Sequence, residues 1–210
     1  TSITTMSGAT LIGYQSGMTA TTGTDLTAIG YNAGRGIGGT NHSTFVGYNA
    51  GGDSSQAYGI TVVGAGAGTS TTGNAGVMIG AGAGRAVTGN RNIYIGKDAG
   101  WNATSGAGNV YIGSGVVGAS TTESQNLRIW GSNSGGSDHV KWINGSPTGA
   151  ITFNGAYTFP TSDGSADQIL QTNGSGVLSF VNGGSGIASL AADTTPQLGG
   201  DLDVNGNDIV

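Results

Sequence analysis

Between Thr10 and Gly113 one short phrase, ending in glycine after two or three apolar residues, returns seven times: TLIG, TAIG, TFVG, TVVG, VMIG, IYIG and VYIG. The closing anchors, Gly13, Gly30, Gly47, Gly64, Gly80, Gly96 and Gly113, stand 16 or 17 residues apart. Self-similarity at a fixed short period marks a repeat architecture, in which one supersecondary unit is copied along the chain. A unit of this length is too short for a pair of helices. It holds two short strands and two turns, which is one coil of a β-solenoid.

The neighbouring columns repeat as well. Ile12, Ile29, Val46, Val63, Ile79, Ile95 and Ile112 immediately precede the anchors, and Thr10, Thr27, Thr44, Thr61, Val77, Ile93 and Val110 lie three before them. Most are β-branched, as strands prefer. Residues two apart share a face of a strand, so these columns are expected to form one stripe turned into the core. Three residues after the anchor stands a small residue, and four after it a glycine from Gly17 to Gly100, as expected where the backbone needs a positive φ or a close approach. Stacked at ~4.8 Å per coil, seven coils make a rod on the order of 30 Å long, and a stack buries a core that one coil cannot.

The repeat lapses after Gly113, and a boundary is expected near Ser120 to Gln125. Beyond it Asn-Gly pairs appear at Asn144, Asn154, Asn173, Asn182 and Asn205, the strongest short hairpin signal when set between apolar runs. The expected fold is all-β. A parallel β-solenoid or β-roll of about seven coils occupies residues 1–120, an antiparallel β-ribbon 121–183, and an extended segment 184–210. The last segment carries too little apolar mass to fold alone, and the thin core of the roll argues that several chains pack side by side. The chain opens in mid-pattern at Thr1, as a piece of a longer polypeptide would.

Composition limits the chemistry. Glycine supplies 44 of 210 residues and only 8% are charged, yet 36% are hydrophobic and spaced in register, which argues for a folded chain. There is no cysteine, hence no disulfide, thiolate metal site or cysteine nucleophile. No run reaches the ~18 apolar residues of a spanning helix. Six Lys and Arg residues argue against a nucleic-acid partner.

Candidate sites are few. GRGIGG, from Gly34 to Gly39, matches a dinucleotide-binding phrase but leads into the next coil instead of a helix. His42 and His139 have no zinc-ligand spacing. Asp53, Glu123 and Asp163 are scattered, so no catalytic pair is legible; neither an enzymatic activity nor a cofactor is expected. Asp201, Asp203 and Asn205 open like a calcium loop without its closing Glu or flanking helices. Sequons at Asn41, Asn102, Asn144 and Asn173 fit a chain rich in Ser, Thr and Asn. Tyr14, Tyr31 and Tyr48 each follow an anchor and should stack on adjacent coils, either as a surface ladder for glycan rings or as an interface or corner stack. Arg85 and Trp101 share a column one coil apart, as receptor contacts or as a cation–π pair.

AIGYNAG, FVGYNAG and YIGKDAG resemble the head repeats of trimeric autotransporter adhesins, which also occur in phage tail fibres. YTFPTSDGSADQILQTNGSGVLSF (157–180) and DTTPQLGGDLDVNGNDI (193–209) are similar to shaft segments of phage tail-fibre proteins. The resemblance implies an intertwined homotrimeric fibre on an extracellular virion, with a left-handed β-roll in each chain. It also implies neighbouring tail or fibre proteins and a host surface glycan or protein as partners. The head of a bacterial surface adhesin is a second possibility. An ice-binding solenoid is a third, suggested by the Thr10, Thr27, Thr44, Thr61 column.

Overall fold

The computed structural model describes residues 5–20, 22–55, 58–132 and 139–183. Asp201, Asp203, Asn205 and the whole 184–210 segment lie outside them. The described residues form strands and turns and no helix. The roll is built from β1 (Thr5–Ser7), β2 (Thr10–Ile12), β3 (Thr22–Ile29), β4 (Gly39–Val46), β5 (Thr61–Val63), β6 (Val77–Ile79), β7 (Ile93–Ile95) and β8 (Val110–Ile112). Strands of successive coils pair in parallel with the repeat in register, as in Thr44↔Thr61, Val62↔Met78 and Ile95↔Ile112. The returning half of each coil makes its own ladder, in which Gly34 N–H bonds Ala50 O at 2.8 Å and Gly84 N–H bonds Ala99 O at 2.9 Å.

The core faces the other way from the expected stripe. The buried side chains are those two before the anchor: Ala28, Phe45, Val62, Met78, Tyr94 and Tyr111. Ile12 is 57% exposed and Ile79 38%, while Ile29, Val46, Val63, Ile95 and Ile112 are half-buried on the outer face. The geometry of the turn decides this. After the anchor the chain folds back so that the small residue and the glycine of the returning wall lie under the residue two before the anchor. A Cβ on Gly84 would stand 2.7 Å from Met78 Cγ, and one on Gly100 2.6 Å from Tyr94 Cγ.

Burial on that column is shared within each coil. Where it carries Ala28, the space is filled by Leu26 and Ile37; where it carries Phe45, the neighbours are Ser43 and Ser54. Tyr94 is matched by Asn92 and Ala103. Asn92 and Asn109 stack in the interior: the Asn109 N–H donates to Asn92 Oδ1 at 2.9 Å, and Asn92 Nδ2 donates to Gly106 O at 2.8 Å. Ser54 and Thr71 hydroxyls likewise bond carbonyls of the next coil, so these buried polar groups tie coil to coil.

The anchor glycines are required by close approach. Gly47 has φ 133°, and a Cβ there would lie 2.8 Å from the Gly64 carbonyl oxygen of the next coil. Gly47→Ala is therefore expected to cost ~3 kcal/mol or more, combining a disfavoured φ with overpacking against backbone. Thermal melting checks this, and a shift within error of wild type would remove the close-approach argument.

The parallel stack runs past the expected boundary. β9 (Leu127–Ser132) pairs in parallel with β8 in the repeat register, Val110↔Leu127 and Ile112↔Ile129, so Trp130 takes the anchor position of an eighth rung. The same strand then pairs antiparallel with β10 (His139–Gly145) and starts the ribbon, which continues through β11 (Ile151–Phe153) and β12 (Tyr157–Thr158). A separate hairpin joins β13 (Gln168–Thr172) to β14 (Leu178–Asn182). Asn154-Gly155 turns as expected, with φ of 52° and 62°. Asn144-Gly145 does not: it lies inside β10, where Asn144 Oδ1 accepts the Trp130 indole N–H at 2.6 Å and Gly145 faces Leu127.

The end of the roll is closed by a charged and aromatic group. Arg128, in the core column, bonds Glu123 Oε2 at 2.8 Å and lies over the rings of Tyr111 and Trp130 at 5.5 and 5.3 Å. Glu123 also accepts a short hydrogen bond from the Tyr111 hydroxyl. Burial raises the Tyr111 phenol above its ordinary range, and the bond to Glu123 and the Glu123 charge add to the rise. Burial raises the Tyr94 phenol too, offset only in part by the nearby Asn109 amide. Both phenols thus hold their protons in the fold at pH values where the unfolded chain ionises. The stability they contribute is complete below pH ~10, the ordinary phenol value, and is lost as pH rises above it. Melting temperature should be level across neutral pH and fall above pH ~10, less steeply in Tyr111→Phe; equal slopes would sink the assignment.

Candidate functional site

The outer face of the sheet carries the two outward columns of the repeat. Its two columns lie beside each other along every rung, and the strand pairing carries them across the change from parallel to antiparallel. The column before the anchor runs to Ile112 and Ile129, then to Ile143, Phe153 and Tyr157. The column three before the anchor runs through Val77, Ile93, Val110 and Leu127 to Gly145 and Ile151. Ile151, Phe153 and Tyr157 are exposed like Ile12 and Ile79. One mostly apolar stripe therefore follows the molecule from coil to ribbon without changing face. Thr10, Thr27, Thr44 and Thr61 share this outward face, contrary to the expectation that they point inward.

The turn edge carries the candidate contact residues. Tyr14, Tyr31 and Tyr48 do stack, with ring centroids 5.3 and 5.4 Å apart and planes 19° and 7° from parallel. Their faces are turned to one another, so the ladder offers solvent mainly edges and hydroxyls. A sugar stacks on a free aromatic face; the geometry fits the packing reading better, each contact contributing ~0.5–1.5 kcal/mol. Arg35 and Asp53 pair across coils on this edge at 2.5 Å.

Of the two readings of Arg85 and Trp101, the cation–π pair does not form. Arg85 Nη2 lies 3.6 Å from Asp98 Oδ1, and Lys97 Nζ holds the other Asp98 oxygen at 2.6 Å. Asp98 sits at φ 54° in the turn, which lays its carboxylate over Gly82 beside the Arg85 guanidinium. Trp101 is left 54% exposed. His42 Nδ1 stands 3.0 Å from Asp25 Oδ2. Three of the sequon amides are engaged in local structure: Asn102 with the Gly118 backbone, Asn144 with Trp130, and Asn173 in a turn with the N–H groups of Ser175 and Val177. GRGIGG leads into β4, so no helix N-terminus meets it.

Trp130, Arg128 and Glu123 were not singled out by the anchor pattern. Their signal is LRIWG, which repeats the apolar spacing of VYIG at 17 residues with Trp in place of Gly. Among the described residues no group of three or more His, Cys, Asp or Glu converges as a metal site would require. Comparison with known proteins finds no family model, no curated protein and no solved structure that matches the chain.

Proposed function

We propose that the chain is a structural and adhesive module of a homotrimeric fibre, part of a phage tail fibre that positions or makes host-receptor contacts. The supporting observation is the unbroken outer stripe. Eleven rungs at ~4.8 Å, with columns ~7 Å apart, make a strip on the order of several hundred Å², edged by threonine up to Thr61 and mostly apolar across its width from Val77 onward, and a patch of that size is at the upper end of what a monomer exposes and is often functional. The partner it fits is another copy of this chain. A ladder of apolar groups at one axial period is complemented by a surface of the same period, and this chain presents one. That three copies meet, and that the fibre belongs to a virion, rests on the resemblance of the repeats and shaft phrases.

In this reading the work is mechanical and non-enzymatic. Ladder hydrogen bonds continuous along the rod give stiffness, and several weak contacts to a host surface add through avidity. Light scattering over a range of concentrations is expected to give three times the 20.4 kDa chain mass. A monomer at every concentration would overturn the proposal. The bacterial adhesin head shares this architecture and is the alternative source.

One observation favours a second reading. Thr10, Thr27, Thr44 and Thr61 face outward in register on adjacent rungs, the arrangement an ice-binding surface uses. A monomer with thermal hysteresis would establish that reading; a trimer without hysteresis would exclude it.

A further inference from the structure

The inward columns of the roll do not end at its last coil. The core column passes from Tyr94 and Tyr111 to Arg128, and through the antiparallel pairing to Asn144, Thr152 and Thr158. Beside it, the asparagine column reaches Asn126 next to Ser146 and Ala150. Within the roll the returning wall of each coil covers these columns. Past β9 the described residues form an antiparallel meander with no returning wall among them, and the floor opens as a cavity of about 310 Å³ lined by Asn126, Arg128, Asn144, Ala150, Thr152 and Thr158.

The chemistry of this floor is that of a site, not of a solvated face. The Arg128 guanidinium is held between two aromatic rings and bonded to Glu123, yet its Nε–H is buried and has no hydrogen-bond partner. That donor is sealed from solvent, so Arg128 lines the cavity as a fixed, charge-balanced wall, and the groups that meet a ligand come from its neighbours. Asn144 is fixed by its oxygen, which accepts the Trp130 N–H, so its amide nitrogen remains to donate. Thr152 and Thr158 share one hydrogen bond at 2.9 Å across the strands and keep further hydroxyl capacity. Ala150 adds apolar surface beside them.

Glu123 already balances the Arg128 charge, which favours a neutral ligand over an anion. The volume lies at the lower end of the ~300–1,000 Å³ range of small-molecule sites and suits one ring. The exposed lining is more apolar than polar and carries a few fixed donors and acceptors, which suits a polyhydroxylated ring that lays a C–H face against it. We infer that this cavity binds a neutral pyranose, either free or as the terminal residue of a glycan. The core-column residues of this floor and the apolar stripe are on opposite faces of the β9–β12 sheet, so the binding test is read independently of the assembly test.

The test is a titration of the full 210-residue chain, followed by amide NMR, with glucose, galactose, mannose, N-acetylglucosamine, glucuronate and acetate. At least one neutral sugar should shift amides confined to 126–128, 144–146, 150–152 and 158. Thr152→Val should weaken that response about tenfold, or ~1.4 kcal/mol. Ala150→Phe should abolish it while the melting temperature and mass stay those of wild type. Binding of the matching oligosaccharide at least as tightly identifies a glycan end, and binding of the monosaccharide alone a free sugar; both support the class. A response to glucuronate or acetate only would show an anion site and overturn the inference. So would shifts scattered over the surface, or neutral-sugar binding that survives Ala150→Phe.

Discussion

Ile95→Asp should leave the roll folded and abolish its assembly. Ile95 is half-buried on the outer face, where an aspartate in the isolated chain meets water. In the proposed fibre the same carboxylate would be desolvated in every copy, against apolar rungs and without a partner. Burying an unpaired charge costs several kcal/mol, so dissociation should rise at least ~10³-fold, or ~4 kcal/mol. One residue earlier, Tyr94→Asp should do the opposite. Tyr94 is fully buried in the coil interior, and the change removes a core aromatic while burying a charge, ~4–5 kcal/mol or more against the fold itself. Circular dichroism and light scattering on the pair separate the two faces of the strand. An Ile95→Asp protein that still assembles would refute the stripe as the interface. One that unfolds like Tyr94→Asp would refute the placement of the core.

The coil length and parallel register were legible because glycine at the anchor is dictated by backbone contact with the next coil, which no other residue satisfies. The inward column was not. Its members, from Ala28 to Phe45 to Tyr94, differ widely in size because each coil shares its filling with neighbouring columns. The outer column looks like a core because it is uniformly β-branched. Uniformity there reflects a regular outer ladder, and variety reflects coil-by-coil filling. The candidate edge was legible as a set of columns, but pairing within it was not. Whether Arg85 meets Trp101 or Asp98 depends on the positive φ of Asp98, which the residue types leave open. The cavity floor was hidden for another reason: it forms only where the parallel stack becomes antiparallel, and Arg128, Asn144, Thr152 and Thr158 lie on four different strands brought side by side by their pairing register.

Trp130→Ala should unfasten the roll from its C-terminal end. Trp130 is 6% exposed, donates to Asn144, and lies under Arg128 and Lys141, with Lys141 Nζ 5.4 Å from its ring. Truncating a buried Trp to Ala costs ~3–5 kcal/mol, and here it also leaves the Arg128 charge with one ring instead of two. With ~2–4 °C lost per kcal/mol at this chain length, the melting temperature should fall by roughly 6–20 °C. Trp130→Gly restores the anchor glycine of the other coils and is the sharper variant. If the position were merely an eighth anchor, it would be neutral; because the indole closes the stack, it should destabilise at least as much as alanine. In a repeat stack each coil is held by its neighbours, so the loss should be graded along the rod. Hydrogen exchange should accelerate first in β8 and β9 and leave β3 and β4 protected. Uniform acceleration would mean that the roll melts as one unit with no special end. An unchanged melting temperature in both variants would mean that Trp130 plugs nothing.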